Sequence, residues 1–159
     1  MILAALAATA MVGRWEVSDQ HYPEGSVGAL ASAGAPGRQV LYYCQTSIPP
    51  QVSFQVEPNR FLDPGWYGGA SYIDDATVAV DGGWFYQPGT LTPAEPEDLI
   101  PRLRNAAHRV QIMVGGAVHG DFDMTGAREA FAEADRRCAT GIVRPAPLRR
   151  RRNTRHPLR

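Results

Sequence analysis

Hydrophobic and polar positions alternate with a period of two over much of the first half of the chain, a pattern typical of half-buried β-strands. The clearest example is Gln51–Val56, which follows a break at Pro49-Pro50. Three earlier segments of β type are separated by Gly and Pro, namely Gly13–Val17, Ser26–Ala33 and Gln39–Thr46. The last of these is apolar on both faces, which predicts a central strand.

The segment between residues 68 and 86 predicts two further strands, at Ala70–Asp74 and Thr77–Val80. Asp81-Gly82-Gly83 has the composition of a turn and precedes an aromatic run. The Pro- and acid-rich stretch Gln87–Pro96 then predicts a linker.

The spacing of apolar residues changes to that of a helix at Glu97–Ala107. Pro101 is compatible with this helix because we expect it in the first turn, where a missing amide proton costs nothing. Alternation returns at Val110–Val114, Gly115-Gly116 predicts a hairpin turn, and Val118–Met124 predicts the paired strand.

A final helix is expected after Thr125, which is a suitable N-cap. Its apolar stripe consists of Ala127, Ala130, Phe131, Ala134 and Cys138. The elements together predict a mainly β fold: a sandwich- or barrel-like antiparallel sheet with two short helices, the second of them C-terminal, which is α+β by content. We expect a single β-rich domain over residues 12–139.

The first ten residues are uncharged and apolar, and Ala8-Thr9-Ala10 has the small-x-small form of a signal-peptidase site. Residues 1–10 are therefore interpreted as a signal-peptide-like segment, which predicts a periplasmic or secreted protein. The positively charged region that normally precedes such a segment is missing, so an edge strand or a short helix is the alternative. No stretch of the sequence is long and apolar enough for a transmembrane span.

The chain has no lysine, and its sixteen arginines and sixteen acidic residues are unevenly distributed. Six arginines follow Pro145, which leaves ten against the sixteen acidic residues of the remainder. An acidic domain argues against nucleic-acid binding by the folded part. Residues 140–159 form a Pro- and Arg-rich tail that we expect to be disordered, either simply solvated or bound to an anionic surface.

The two cysteines, Cys44 and Cys138, leave two interpretations open. An even number of cysteines in an exported protein permits one disulfide that closes a long loop. Two buried apolar thiols are the alternative. The spacing, without C-x-x-C or a nearby His, argues against zinc binding and against thioredoxin-like chemistry.

The polar residues that come closest to a chemical site are His119, Asp121 and Asp123, which alternate along one predicted strand and could bind a divalent cation. The polar outer face of a hairpin is the simpler interpretation, so we assign no metal ligand. The sequence has no Gly-x-Ser-x-Gly elbow and no phosphate-binding glycine loop, and Cys44 lies in mid-strand. These features predict a protein that is not an enzyme and uses no cofactor.

Aromatic residues are concentrated between positions 66 and 86, and clusters of this kind can form a binding platform for peptide or sugar. The candidate binding surface consists of Trp66, Tyr67, Trp84 and Tyr86. Core packing is the competing use, because a domain of this size needs large side chains for its stability.

The C-terminal third carries a motif made of Phe122-Asp-Met-Thr-Gly126, a helix that begins Ala127-Arg-Glu-Ala-Phe131, and a cysteine at position 138. It resembles the ending of small proteobacterial periplasmic β-proteins, the VasI-like type VI secretion-associated proteins and the invasion-associated locus B proteins. Their pattern is Phe-x-Leu-x-Gly followed by an Ala-rich helix closing on Cys. Met124 stands where that pattern has Leu, a change that packing tolerates.

Two earlier segments agree with the same group: an N-terminal strand containing Trp15, and the Cys-bearing strand Leu41–Cys44. The resemblance thus covers the chain from Trp15 to Cys138, whereas Trp66 and Trp84 have no counterpart in it. It implies a secreted or periplasmic β-sandwich-like domain with an accessory role.

The preferred hypothesis is an exported, non-enzymatic accessory domain that binds a cell-envelope or secretion-apparatus protein. One alternative is a small metal-dependent hydrolase that uses His119, Asp121 and Asp123. The other is a structural spacer in which the basic tail alone makes contacts.

Overall fold

The computed structural model describes residues 9–140, in which the chain forms ten β-strands and two α-helices. Five strands come first: β1 (Thr9–Val12), β2 (Trp15–His21), β3 (Val27–Ala35), β4 (Arg38–Gln45) and β5 (Ile48–Gln55). The second half comprises β6 (Gly65–Ile73), β7 (Val80–Gln87), β8 (Thr90–Pro93), α1 (Pro96–Asn105), β9 (Arg109–Val114), β10 (Val118–Asp123) and α2 (Ala127–Thr140).

All ten strands belong to one antiparallel sheet with the order β1-β2-β3-β4-β5-β8-β7-β6-β9-β10. Its two halves are joined by the short β5–β8 ladder, in which Phe54 pairs with Leu91 and Gln55 with Thr90. The sheet curls so that β10 lies against β3 and β4. The predicted mainly β class with two helices, the second C-terminal, is therefore confirmed.

The core lies inside the curled sheet and under α2. The alternation of β4 places Val40, Tyr42 and Cys44 in the core, and β4 lies between β3 and β5, so its predicted central position is confirmed. The apolar stripe of α2 is buried against β2, β3 and β4. Within it, the Phe131 ring stacks on Tyr42 with centroids 4.1 Å apart and meets the Trp15 ring edge-on at 5.3 Å.

A polar triad joins both helices to the sheet. The Arg104 guanidinium of α1 donates to the Tyr42 hydroxyl at 2.8 Å and to the Asp135 carboxylate of α2 at 2.6 Å. The Tyr42 hydroxyl in turn donates to Asp135. Burial, followed by the neighbouring Asp135 carboxylate, raises the pKa of Tyr42 far above its ordinary value, so this hydroxyl keeps its proton.

The predicted strand Thr77–Val80 and the predicted turn Asp81-Gly82-Gly83 are both wrong. Strand β7 begins at Val80 and continues through the two glycines, which pair with Gly69 and Gly68 of β6. The preceding turn instead contains Asp74 and Asp75, both in left-handed backbone conformation with φ of 51° and 60°. Aspartate adopts this conformation more readily than most residues because its short carboxylate can bind nearby amides.

Four smaller expectations also need correction. The linker predicted for Gln87–Pro96 contains strand β8, which fills the position between β5 and β7. Pro101 is the sixth residue of α1 rather than part of its first turn, so the carbonyl of Glu97 four residues earlier receives no helical hydrogen bond from it, and Glu97 is an exposed residue that water can reach. Pro49-Pro50 belongs to the exposed start of β5, where the register with β4 shifts. Helix α2 begins at Ala127, and the Gly126 carbonyl accepts its first intrahelical bond, from the Ala130 amide, so Gly126 and not Thr125 occupies the N-cap position.

Asp74 anchors the connection between α1 and β9. Its carboxylate accepts the backbone amides of Ala107, His108 and Arg109 at 2.6, 2.9 and 3.1 Å. Burial alone would raise the pKa of Asp74, but the three amides, aided by the charge of His108, outweigh it and hold the pKa below its ordinary value. The carboxylate therefore stabilises the fold in its ionised form.

We expect Asp74→Asn to lower the free energy of unfolding by about 1 to 2 kcal/mol at pH 7, since amides of the connection lose an ionised acceptor. Because the folded-state pKa is lowered, this stabilisation is complete above the unfolded value of about 3.9 and is lost as the pH falls through the folded value. Urea unfolding at pH 7 and pH 3 should therefore show a larger loss for the wild type than for the variant. The exposed Asp63, changed to Asn, is the control, and an equal pH response of all three proteins would contradict this role of Asp74.

Candidate binding surfaces

The two cysteines form a disulfide, Cys44–Cys138, between β4 and α2. The Cα atoms are 6.3 Å apart, and the bridge joins positions separated by 94 residues. Both side chains are buried, with 4% and 9% of their surface exposed. The disulfide interpretation is therefore the one that the structure supports, and a disulfide is compatible with a location outside the reducing cytoplasm.

The predicted aromatic surface divides into a buried and an exposed part. Trp84 is 2% exposed and Tyr86 is fully buried, so both belong to the core and are corrected as surface candidates. They lie on the inner face of β7 because they are two positions apart, and alternate residues of a strand point to the same face. Trp66 is 65% exposed, and Tyr67 is half-buried, with its hydroxyl donating to the Asp63 carbonyl at 2.8 Å.

An apolar strip runs along the outer face of β6, β7 and β9, and we call it the outer-face strip. Its members share one face because they alternate along β6 or lie opposite those residues in register: Trp66, Gly68, Ala70, Phe85 and Met113. The Trp66 and Phe85 rings are cross-strand neighbours with centroids 5.0 Å apart. A side chain at Gly68 would meet no atom within 4 Å, so the strip has open space beside the indole.

A cleft of about 430 Å³ lies at the end of the strip. One wall is formed by Arg38 and residues 55–57 at the end of β5, the other by His119–Phe122 of β10, and Met113 connects the cleft to the strip. Arg38 and Glu57 form an ion pair at 2.8 Å across the first wall. The volume lies in the range of small-ligand and peptide-side-chain sites.

The His119, Asp121 and Asp123 side chains project from β10 on one face, as their alternation predicts, and all three are exposed. Each carboxylate already has a guanidinium partner: Asp121 lies 3.1 Å from Arg109, and Asp123 lies 3.0 Å from Arg14. Within residues 9–140, no three His, Cys, Asp or Glu side chains form a group that could hold a metal ion. The geometry therefore offers the metal-dependent hydrolase no ligand set in this part of the chain.

The terminal segments of the chain are described only in part. Residues 1–8 of the signal-peptide-like segment and residues 141–159 of the tail lie outside the described residues. Thr9 and Ala10 belong to the edge strand β1, in which Thr9 pairs with Ser18 and Ala10 with Val17. Neither helix within residues 9–140 is long and apolar enough to cross a membrane.

Comparisons with family models, with curated proteins and with solved structures found no match to this chain. The described residues form a disulfide-bonded antiparallel β-domain with an exposed aromatic strip that leads to a cleft. Sequence reasoning identified Trp66 but missed Phe85 and Met113 as its companions. The alternation of β6 can be read from the sequence and indicates which of its residues share a face. The strand register that places Phe85 and Met113 beside β6 cannot be read from the sequence.

Proposed function

We propose that this protein is an exported, non-enzymatic accessory domain that binds a cell-envelope protein, and that the outer-face strip is its binding surface. The observation that carries the proposal is Trp66, a tryptophan at the second position of β6 that is 65% exposed on a domain that buries its other two tryptophans. Exposed tryptophan is costly in water and is enriched at the energetic centres of protein interfaces.

The shape of the strip supports a protein partner. The Trp66 ring packs against the Phe85 ring, so the indole is already restricted and loses little side-chain entropy on binding. Gly68 has no side chain and Ala70 has a small one, so the surface next to the Trp66 ring is unoccupied, and Met113 at the far end adds an adaptable apolar contact. A rigid aromatic side chain beside an unoccupied apolar surface is the arrangement expected of an interface core.

Charge defines the complementary chemistry of the partner. Residues 9–140 contain all sixteen acidic residues and nine of the sixteen arginines, so this part of the protein is negatively charged. Asp81 and Asp121 flank the strip on neighbouring strands. We therefore expect the partner to present an apolar patch with a basic rim, since such charges guide association and select against other surfaces.

Export is supported by the disulfide and by the form of the first ten residues. Disulfides persist in the periplasm and outside the cell, and they are rare in the reducing cytoplasm. The Ala8-Thr9-Ala10 sequence has the form that signal peptidase cleaves, and cleavage after Ala10 would remove Thr9 and Ala10 from the edge strand β1 and leave its other pairs with β2 in place.

The proposal can be tested with a photo-cross-linking amino acid in place of Trp66, in cells that export the protein. The matched control carries the same group in place of Glu16, an exposed residue of β2 outside the strip. We expect an envelope protein to be cross-linked from position 66 and not from position 16. Equal yields from both positions, or no product from position 66, would contradict the strip as the binding surface.

The captured protein should then be purified and titrated with defined variants. Trp66→Ala is expected to raise its Kd at least ~10-fold, as truncation of a central interface tryptophan commonly does. Phe61→Ala is the control, because Phe61 is 81% exposed but lies in the loop before β6. A Trp66→Ala variant that binds as tightly as the wild type would refute the proposal and favour the structural-spacer hypothesis.

A further inference from the structure

Strand β10 is the last strand of the sheet, and within residues 9–140 the side that faces away from β9 has no strand partner. The Met124 amide donates to the His108 carbonyl at 2.8 Å, in the register of the β9–β10 ladder. Bonded and non-bonded pairs alternate in an antiparallel ladder, so the even-numbered residues of β10 bond to β9. The backbone N–H and C=O groups of His119 and Asp121 therefore point outward.

The free part of this edge is short and well defined. At one end, the Ala117 carbonyl accepts the Asn59 amide group at 3.0 Å, and at the other, Asp123 binds Arg14 at 3.0 Å. Between these two contacts, residues 119–121 line one wall of the cleft of about 430 Å³, whose other wall is Arg38 and residues 55–57, and no strand within residues 9–140 fills the space between the two walls. An unprotected strand edge of this kind is a template for a further strand.

We propose that this edge pairs with the same edge of a second copy of the chain, antiparallel about a twofold axis at Gly120. In this arrangement His119 lies opposite the partner's Asp121, and Asp121 lies opposite the partner's His119. Both positions carry outward backbone groups, so each pair forms two hydrogen bonds and the interface contains four. The proposal does not depend on the outer-face strip or on its partner.

The side chains favour this register over its neighbours. Directly opposed side chains in an antiparallel pair lie about 5 Å apart, so each imidazole meets a carboxylate. A shift by two residues in either direction would instead place His119 opposite its own copy, or Asp121 opposite its own copy. Two carboxylates directly opposed repel each other, and two imidazoles directly opposed lose their carboxylate partners, so the His-x-Asp pattern is complementary to itself in one register only.

Gly120 lies on the proposed twofold axis opposite its own copy, and its missing side chain leaves room for the Phe122 ring of its own chain, which a Cβ at this position would meet. Two residues opposed as a non-bonded pair have Cα atoms about 4.5 Å apart, and here both are glycine. The interface is small, with four backbone hydrogen bonds and two exposed His119–Asp121 pairs, in which each Asp121 also keeps its contact with Arg109 of its own chain at 3.1 Å. We therefore expect a weak dimer, of the kind formed by small transient interfaces.

The test is sedimentation equilibrium of the full chain between ~10 μM and ~1 mM, where weak dimers become populated. The wild type should shift from monomer toward dimer over this range. His119→Asp gives Asp opposite Asp, and Asp121→His gives His opposite His, so each variant alone should dimerise at least ~10-fold more weakly. An equimolar mixture of the two restores both His–Asp pairs in the mixed dimer, and dimerisation should recover to within a factor of about two of the wild-type level, because only unlike partners pair well.

A backbone variant separates the hydrogen bonds from the charges. His119→Pro removes only an outward amide proton, which leaves the β9–β10 ladder intact, and it should abolish the dimer. His119→Thr keeps the amide and should retain part of the association. A wild type that stays monomeric at ~1 mM, or a mixture of the two charge variants that fails to recover, would overturn the proposal. Dimers that form equally well in His119→Pro would place the interface elsewhere.

Discussion

Replacing both Cys44 and Cys138 with alanine is expected to lower the free energy of unfolding by about 4 kcal/mol, since a cross-link over a loop of this size removes a large part of the unfolded chain's entropy. The bridge joins positions 94 residues apart, so most of the described domain lies within its loop. It also fixes the C-terminal part of α2 to β4, where the sheet and the helix share the core. Urea unfolding followed by circular dichroism measures this change through the midpoint and the slope.

The control for the disulfide is the wild type unfolded in the presence of a strong reductant. If the bridge acts through the unfolded chain, the reduced wild type and the double alanine variant should have closely similar midpoints, both well below that of the oxidised protein. An oxidised wild type no more stable than the reduced form would show that the bridge contributes nothing to folding stability.

Phe131→Ala is expected to destabilise the domain by about 3 to 5 kcal/mol, because it leaves a cavity at the centre of the core. Phe131 is fully buried and contacts both Tyr42 and Trp15 through its ring, so the substitution removes contacts to two strands at once. Without the ring that stacks on it, the Tyr42 side chain of the polar triad can also change its packing. Thermal and urea unfolding of the purified variant give the measurement.

Two matched variants make this result specific to the core. Phe131→Leu keeps most of the side-chain volume and should cost markedly less, about 1 to 1.5 kcal/mol. Phe61→Ala removes the same ring from a side chain that is 81% exposed, and it should change stability by no more than about 0.5 kcal/mol. Similar losses for Phe131→Ala and Phe61→Ala would contradict the packing described for α2.

The strands that sequence reasoning placed correctly are those in which alternate apolar residues mark a buried face. Val40, Tyr42 and Cys44 of β4 are buried, while Leu41 and Tyr43 on its other face are half-buried, as a strand apolar on both sides predicts. In the hairpin β9–β10 the apolar residues are also buried, apart from Met113. The stripe of α2 is likewise confirmed, because each of its five residues is buried. Such patterns are readable because the period of a strand or helix is a local property of the chain.

The region between Asp74 and Pro96 was misjudged because its structure depends on partners that are distant in sequence. The glycines of β7 form a strand because the glycines of β6 lie opposite them, and the amides held by Asp74 come from residues 107–109. Strand β8 has only four residues and exists as the connection between β5 and β7. Composition alone favours a turn and a linker at these positions.

The sequence by itself determined the β class, the buried faces of the regular strands and the C-terminal helix, and it left open whether the two cysteines form a disulfide or remain buried thiols. The tertiary structure decided that Cys44 and Cys138 are joined, that Trp84 and Tyr86 are core residues while Trp66 is exposed, and that β10 is an edge. The physical reason is that periodicity records which side of an element avoids water, whereas pairing, register and strand order arise from contacts between residues far apart in the chain.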